Sequence, residues 1–190
     1  MSKLTAIYLG LYEYHEKYGH FPPAIVLNDH GEPAHSWRVL LLEFLAPEVY
    51  EQYRFDEKWD SPANSKLSDL MPKCYSSGSD KPSRFTNFVV VQGPDTAFPY
   101  DKFTRMDDIK TAPETTILVV EIAHSDIHWM EPRDLTLDSF SPEARLWQTP
   151  ISTTRTRLQG PLVLMADGQT VVLNKDDVIY PFLIIRGKWN

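Results

Sequence analysis

Over the first eighteen positions, apolar side chains return every three or four residues. Leu4, Ile7, Tyr8, Leu11, Tyr14, His15 and Tyr18 fall on one side of a predicted helix from Ser2 to Tyr18. Ser2 suits the N-cap, Gly19 stops the helix, and Phe21-Pro22-Pro23 forces an extended exit. Gly10 costs a helix interior about 1 kcal/mol relative to alanine. Its presence predicts close approach by another element. Ile25–Leu27 reads as a short strand, and Asn28 to Pro33 as a loop by its turn chemistry. Ser36 caps a second predicted helix, Trp37 to Leu45, which is apolar on most sides and therefore buried. Glu48 to Tyr53 adds a helical turn or two. Ser61-Pro62 opens a third short helix, with Leu67 and Leu70 inward and Pro72 at its end.

After Tyr75 the period changes from helical to alternating. Ser76 to Arg84 is polar and reads as a loop. Phe85 to Val91 is β-branched and aromatic, hence a strand. Gly93 to Thr111 is a long loop carrying Phe98, Tyr100 and Phe103. Thr115 to Ala123 is the clearest strand, and Trp129 to Gln148 is irregular. Leu162–Ala166 and Gln169–Leu173 form a hairpin across Asp167-Gly168, a two-residue turn favouring positive φ. Asp176 or Asp177 caps a final helix from Val178, in competition with a terminal strand over Phe182–Ile185. Helices come first and strands second, with no internal repeat. That order predicts an α+β fold with an antiparallel sheet.

Composition changes this picture little. At 190 residues, one domain is the economical reading, and 42% apolar residues suffice for a core. The six aromatics between Ser36 and Asn64 (Trp37, Phe44, Tyr50, Tyr53, Phe55 and Trp59) make that block the predicted centre of the core. Fifteen prolines against eight glycines predict many fixed turns. A net charge of −7 argues against a nucleic-acid partner or an anionic membrane surface. Cys74 is the only cysteine, which rules out an intramolecular disulfide; it reads as a buried or idle thiol. No apolar run reaches the length of a membrane span, so the chain reads as soluble.

Several short motifs recur together. They are Tyr14-His15 with Gly19-x-Phe21-Pro22-Pro23, then Ser36-Trp37-Arg38-Val39-x-Leu41-Leu42, then Trp59-Asp60-Ser61-Pro62-x-Asn64. Thr116 to Glu121, Trp129-x-x-Pro132-x-Asp134-Leu135 and Ala166-Asp167-Gly168 follow. Together they resemble a large uncharacterised bacterial family of prepilin-like proteins whose C-terminal signature is His, nine residues, then Asp-Gly. Here Arg157 stands in place of that His, and Glu43 in place of a usual Pro. The family's prepilin cleavage signal and apolar helix half are absent from this chain. It starts about where that half ends, as a separated soluble domain or a member without its anchor is expected to do.

The resemblance implies a pseudopilin-like build: an N-terminal helix packed on an antiparallel sheet, with extra short helices and long loops. The implied single domain spans 1–190, with a helix over 1–19, a helical insert over 36–72 and a sheet region over 85–190. It also implies that His15, Trp37, Arg38, Trp59, Asp60, Asn64, Asp167 and Gly168 belong to a shared structural motif. The family brings no established activity, so none is carried over.

His15 to His20 nearly makes a zinc-protease helix motif, but its second His falls at i+5, about 140° around the helix from the first. Glu121, His124 and His128 are the remaining metal candidates; their spacing is irregular, and ordinary strand and loop residues are the plainer reading. Asp107-Asp108 and Asp176-Asp177 lack the ligand spacing of a calcium loop. Arg38 beside Trp37, near Trp59 and Asp60, predicts a buried cation–π and ion-pair cluster, with a Trp-lined sugar pocket as the functional alternative.

The expectation is a non-enzymatic, pseudopilin-like structural or interaction domain of a cell-envelope assembly, without cofactor. It meets protein partners or itself, not nucleic acid, and reaches a membrane only through a helix absent from this chain. It faces outward if that helix is encoded upstream and is cytoplasmic otherwise. A carbohydrate- or peptide-binding module is the alternative, and a metal-dependent hydrolase the third.

Overall fold

The N-terminal helix α1 (Lys3–Tyr18) forms where the apolar spacing places it. The Ser2 hydroxyl accepts from the Thr5 N–H at its start. Gly19 closes it at φ 76°, donating its N–H to the His15 carbonyl. Leu4, Ile7, Gly10, Leu11 and Tyr14 make the buried face. Gly10 is there for contact: a Cβ on it would come within 3.0 Å of the Leu45 side chain. The computed structural model describes residues 2–76, 84–100, 102–109, 113–122, 125–137 and 162–173. No described helix is long and apolar enough to cross a membrane.

After α1, β1 (Ile25–Leu27) pairs antiparallel with β2 (Pro33–Ser36), a strand the sequence pattern did not announce. The predicted Trp37–Leu45 helix is two short ones, α2 (Trp37–Leu40) and α3 (Leu42–Leu45), joined at Leu41. Leu41 and Leu42 are buried together with Trp37, Arg38 and Val39. Next come α4 (Pro47–Tyr50) and two 3₁₀ turns, Asn64–Leu70 and Lys73–Tyr75. The third predicted helix is thus 3₁₀ and starts at Asn64. Ser61 still caps it, its hydroxyl accepting from the Asn64 N–H at 3.1 Å. Leu67 is buried there but Leu70 is exposed, contrary to the predicted inward pair.

The sheet region follows the α+β order. β3 (Phe88–Val89), β5 (Ile117–Glu121), β7 (Leu162–Met165) and β8 (Thr170–Val172) form a four-stranded antiparallel sheet in that order. The predicted Phe85–Val91 strand is interrupted at Val90. On its far side β4 (Val91–Gln92) pairs with β6 (Leu135–Thr136), and this ladder is parallel. The cause is one contact: the Val90 N–H donates to the Asp134 carboxylate rather than to a neighbouring strand.

All five residues of β5 are buried, because both sheet faces are covered. Phe88, Leu118, Val119 and Leu164 join the main core with Leu4, Ile7 and Leu11 of α1. Val89, Ile117, Val120, Val163 and Met165 join a second core with Ile127 and Leu173. A bulge between Ile117 and Val119 puts Leu118 and Val119 on the same side.

The β7–β8 hairpin differs from its prediction in turn type. Gly168 donates to the Met165 carbonyl and Met165 to the Gln169 carbonyl, and only Gly168 has positive φ, at 87°. The turn is therefore three residues, Ala166 to Gly168, with Gly168 as the left-handed bulge. A Cβ on Gly168 would also lie 2.8 Å from the Tyr8 ring of α1. Gly168→Ala is expected to cost about 1–2 kcal/mol from backbone conformation alone. Thermal unfolding checks this; an unchanged midpoint would contradict it. The proposed elements after Leu173 lie outside the described residues.

Candidate functional site

The residues shared by the sequence motifs converge on one buried centre, at Arg38. Ser36 ends β2 and caps α2, its hydroxyl accepting from the Arg38 N–H at 3.2 Å and donating to the Trp129 carbonyl at 3.3 Å. Trp37 and Arg38 are both fully buried, and the guanidinium lies 4.8 Å from the centroid of the Trp37 ring.

Its ionic partner is Asp134, not the expected Asp60. Arg38 donates through both terminal nitrogens, at 2.5 and 3.4 Å, and its Nε–H donates to the Phe88 carbonyl at 3.1 Å. Asp134 also accepts from Trp37 Nε1 at 3.2 Å and from the Val90 N–H at 2.9 Å. Both ionic side chains have no solvent exposure. Burial pushes the Asp134 carboxyl pKa up, while the Arg38 charge and the hydrogen bonds pull it back. The carboxylate's hydrogen-bond partners are all donors, which favours its ionised form.

Around this centre the aromatics are stacked. Trp37 meets Tyr75 edge-on at 6.1 Å; Tyr75 stacks on Trp129 at 6.4 Å, Trp129 on His128 at 6.4 Å, and His128 lies against Trp59 at 5.1 Å. Tyr75 donates its hydroxyl to the Arg38 carbonyl at 2.8 Å, and Trp129 its indole N–H to the Ser68 carbonyl at 3.0 Å. Two of these rings, Trp37 and Trp129, are wholly buried, so they offer no face to a sugar.

The remaining motif residues are fasteners too. His15 accepts the Met106 N–H on Nε2 at 3.1 Å, tying α1 to the 3₁₀ turn Met106–Asp108. Asn64 is fully buried. Its carbonyl accepts from the Arg54 N–H, and its amide donates to the carbonyls of Arg54, Glu57 and Lys58. Trp59 is half-buried and Asp60 exposed; the Trp59 N–H donates to the Ala34 carbonyl. Asp167 accepts the Gln169 N–H within the hairpin turn.

Glu121 is buried on β5, and His128, half-buried, bridges to Phe85; His124 lies outside the described residues. Among the described residues, no three His, Cys, Asp or Glu side chains are grouped to hold a metal. Burial raises the Cys74 thiol to about 11, which keeps it protonated and unreactive at neutral pH.

Sequence reasoning missed two residues here. Asp134 stood in a motif beside Trp129 without a role, although a carboxylate amid buried aromatics was the natural partner for Arg38. His35, 4% exposed on β2, carried no motif at all. It faces an open depression of about 690 Å³ only through its neighbours: Tyr53 and Phe55 line the depression with Arg54, Asp56 and Lys66. Tyr53 is buried as predicted, whereas Phe55, expected in the core, is 37% exposed at this rim.

Residues 1–74 match a family model described as "Protein of unknown function (DUF1559)". No curated protein and no solved structure matches the chain. The matched segment runs from α1 into the second 3₁₀ turn and includes Trp37, Arg38, Trp59 and Asn64. It stops before Asp134, so the ion pair joins the matched segment to the rest of the chain.

Proposed function

We propose that this chain is a non-enzymatic, pseudopilin-like structural or interaction domain of a cell-envelope assembly. The observation that carries the reading is the two-sidedness of α1. One face is built into the core through Leu4, Ile7 and Leu11. The other leaves Leu9 and Tyr12 over two-fifths exposed, with the half-buried Tyr8 ring tilted against Tyr12 at 6.3 Å. A helix held rigidly on one side and apolar in part on the other suits packing against a neighbouring subunit. The polar motif residues support the same reading, since their hydrogen bonds are spent inside the domain.

Fractionation of cells carrying the tagged gene at its own locus, with a Tyr12→Cys substitution, tests this. The expected result is recovery in the envelope fraction and an oxidation-dependent disulfide-linked species through position 12. Recovery as a soluble monomer without that species would overturn it.

A second reading, a carbohydrate- or peptide-binding module, is favoured by the depression beside Tyr53 and Phe55, whose volume suits a small ligand. It differs from the sequence expectation in resting on these rings and not on Trp37.

A further inference from the structure

His35 joins β2 to the segment that walls the depression, and its hydrogen bonds require a neutral ring. Nε2 lies 3.1 Å from the Phe55 carbonyl. A carbonyl only accepts, so Nε2 carries the hydrogen. Nδ1 is therefore bare, and Tyr53 donates its hydroxyl hydrogen to it at 2.9 Å. The ring is also packed edge-on to Tyr53 at 5.6 Å and to Phe55 at 5.5 Å. Protonating Nδ1 would set two hydrogens against each other. Tyr53 would have to turn its hydroxyl and give up the hydrogen bond that it donates to the ring.

We infer that His35 is an acid-sensitive latch: neutral, it docks the Tyr53–Phe55 segment onto β2; protonated, it frees that segment and reshapes the depression it walls. Burial already holds the His35 pKa below its ordinary value, against the pull of the Phe55 carbonyl. The charged groups nearby do not reverse this. Glu32, on the same hairpin, is paired with Lys58; Asp60 acts on Tyr53; Arg54 and Asp56 are exposed. The other attachments have no titrating hydrogen: Asn64 grips Arg54, and Trp59 N–H holds the Ala34 carbonyl. Release is therefore local, pivoting on those points.

The sign follows from proton counting. The freed ring binds a proton at the ordinary histidine value, about 6.5, and the docked ring only below it. Docking is complete above that pH and weakens as pH falls toward and through the docked value.

Amide hydrogen exchange at about pH 7.5 and about pH 5, corrected for intrinsic rates, tests this. The Tyr53 amide, which donates to the Val49 carbonyl, is expected to lose protection about tenfold or more on acidification, while β7 amides change far less. His35→Gln keeps a donor toward Phe55 but cannot ionise, and should flatten the response. An equal loss in His35→Gln, or none in the wild type, would overturn the latch. If that variant fails to fold, the wild-type His35 ring titration decides. A value at or above the ordinary one contradicts the latch; one below it, coincident with loss of Tyr53 amide protection, supports it.

Discussion

Replacing Asp134 with alanine is expected to remove about 3–5 kcal/mol of folding stability, the range for breaking one half of a buried ion pair. The reason is what stays behind. Arg38 would remain charged and fully buried, with only the Phe88 carbonyl as acceptor for its side chain. The Trp37 indole N–H and the Val90 N–H would lose their acceptor at the same time. Val90 marks where the chain leaves the four-stranded sheet for the β4–β6 ladder, so the damage should reach both. Asp134→Asn keeps the shape but turns an amide donor toward a guanidinium, and should be nearly as harmful. Urea unfolding followed by circular dichroism checks both. A lowered midpoint with an unchanged slope is expected, and a midpoint within error of the wild type would refute the role.

The second large effect belongs to Asn64. Its buried amide makes four hydrogen bonds to the backbone of residues 54 to 58, three as donor and one as acceptor. Asn64→Asp replaces the donating nitrogen with a charged oxygen facing three carbonyls. A loss of about 3 kcal/mol is expected, since each buried unsatisfied group costs about 1–3 kcal/mol. Asn64→Ala removes the bonds without the repulsion and should cost less than Asp. Thermal unfolding of the two variants checks the order; Asp milder than Ala would contradict this account of the loop.

Elements specified by local chemistry could be read from the chain alone. Helix α1, with its Ser2 cap, its Gly19 stop and the contact at Gly10, depends on periodicity and capping within a few residues. The clearest strand, the hairpin and the buried Trp37–Arg38 pair were legible for similar reasons. What was not legible depended on distant partners. Arg38 was paired in expectation with Asp60, the nearest acid to its aromatic neighbours in sequence, whereas the fold brings Asp134 from 96 residues away. The break at Val90 follows from the same long-range contact. Phe55 was misplaced because aromatic content says nothing about which ring ends at a rim.

At the candidate site, the sequence identified the residues but not their use. Trp37, Arg38, Asn64 and His15 make their hydrogen bonds within the domain, and Trp37 packs against Tyr75 and Asp134. The accessible surface lies elsewhere, on the outer side of α1 and beside Phe55.

The claim that the shared polar residues hold the domain together rests most directly on the coupling between Arg38 and Asp134. A double-mutant cycle with Arg38→Met and Asp134→Leu measures it by urea unfolding. Each single change should be strongly destabilising, and the double variant should recover most of the loss, giving a coupling of about 2 kcal/mol or more. Additive losses, with a coupling near zero, would contradict it.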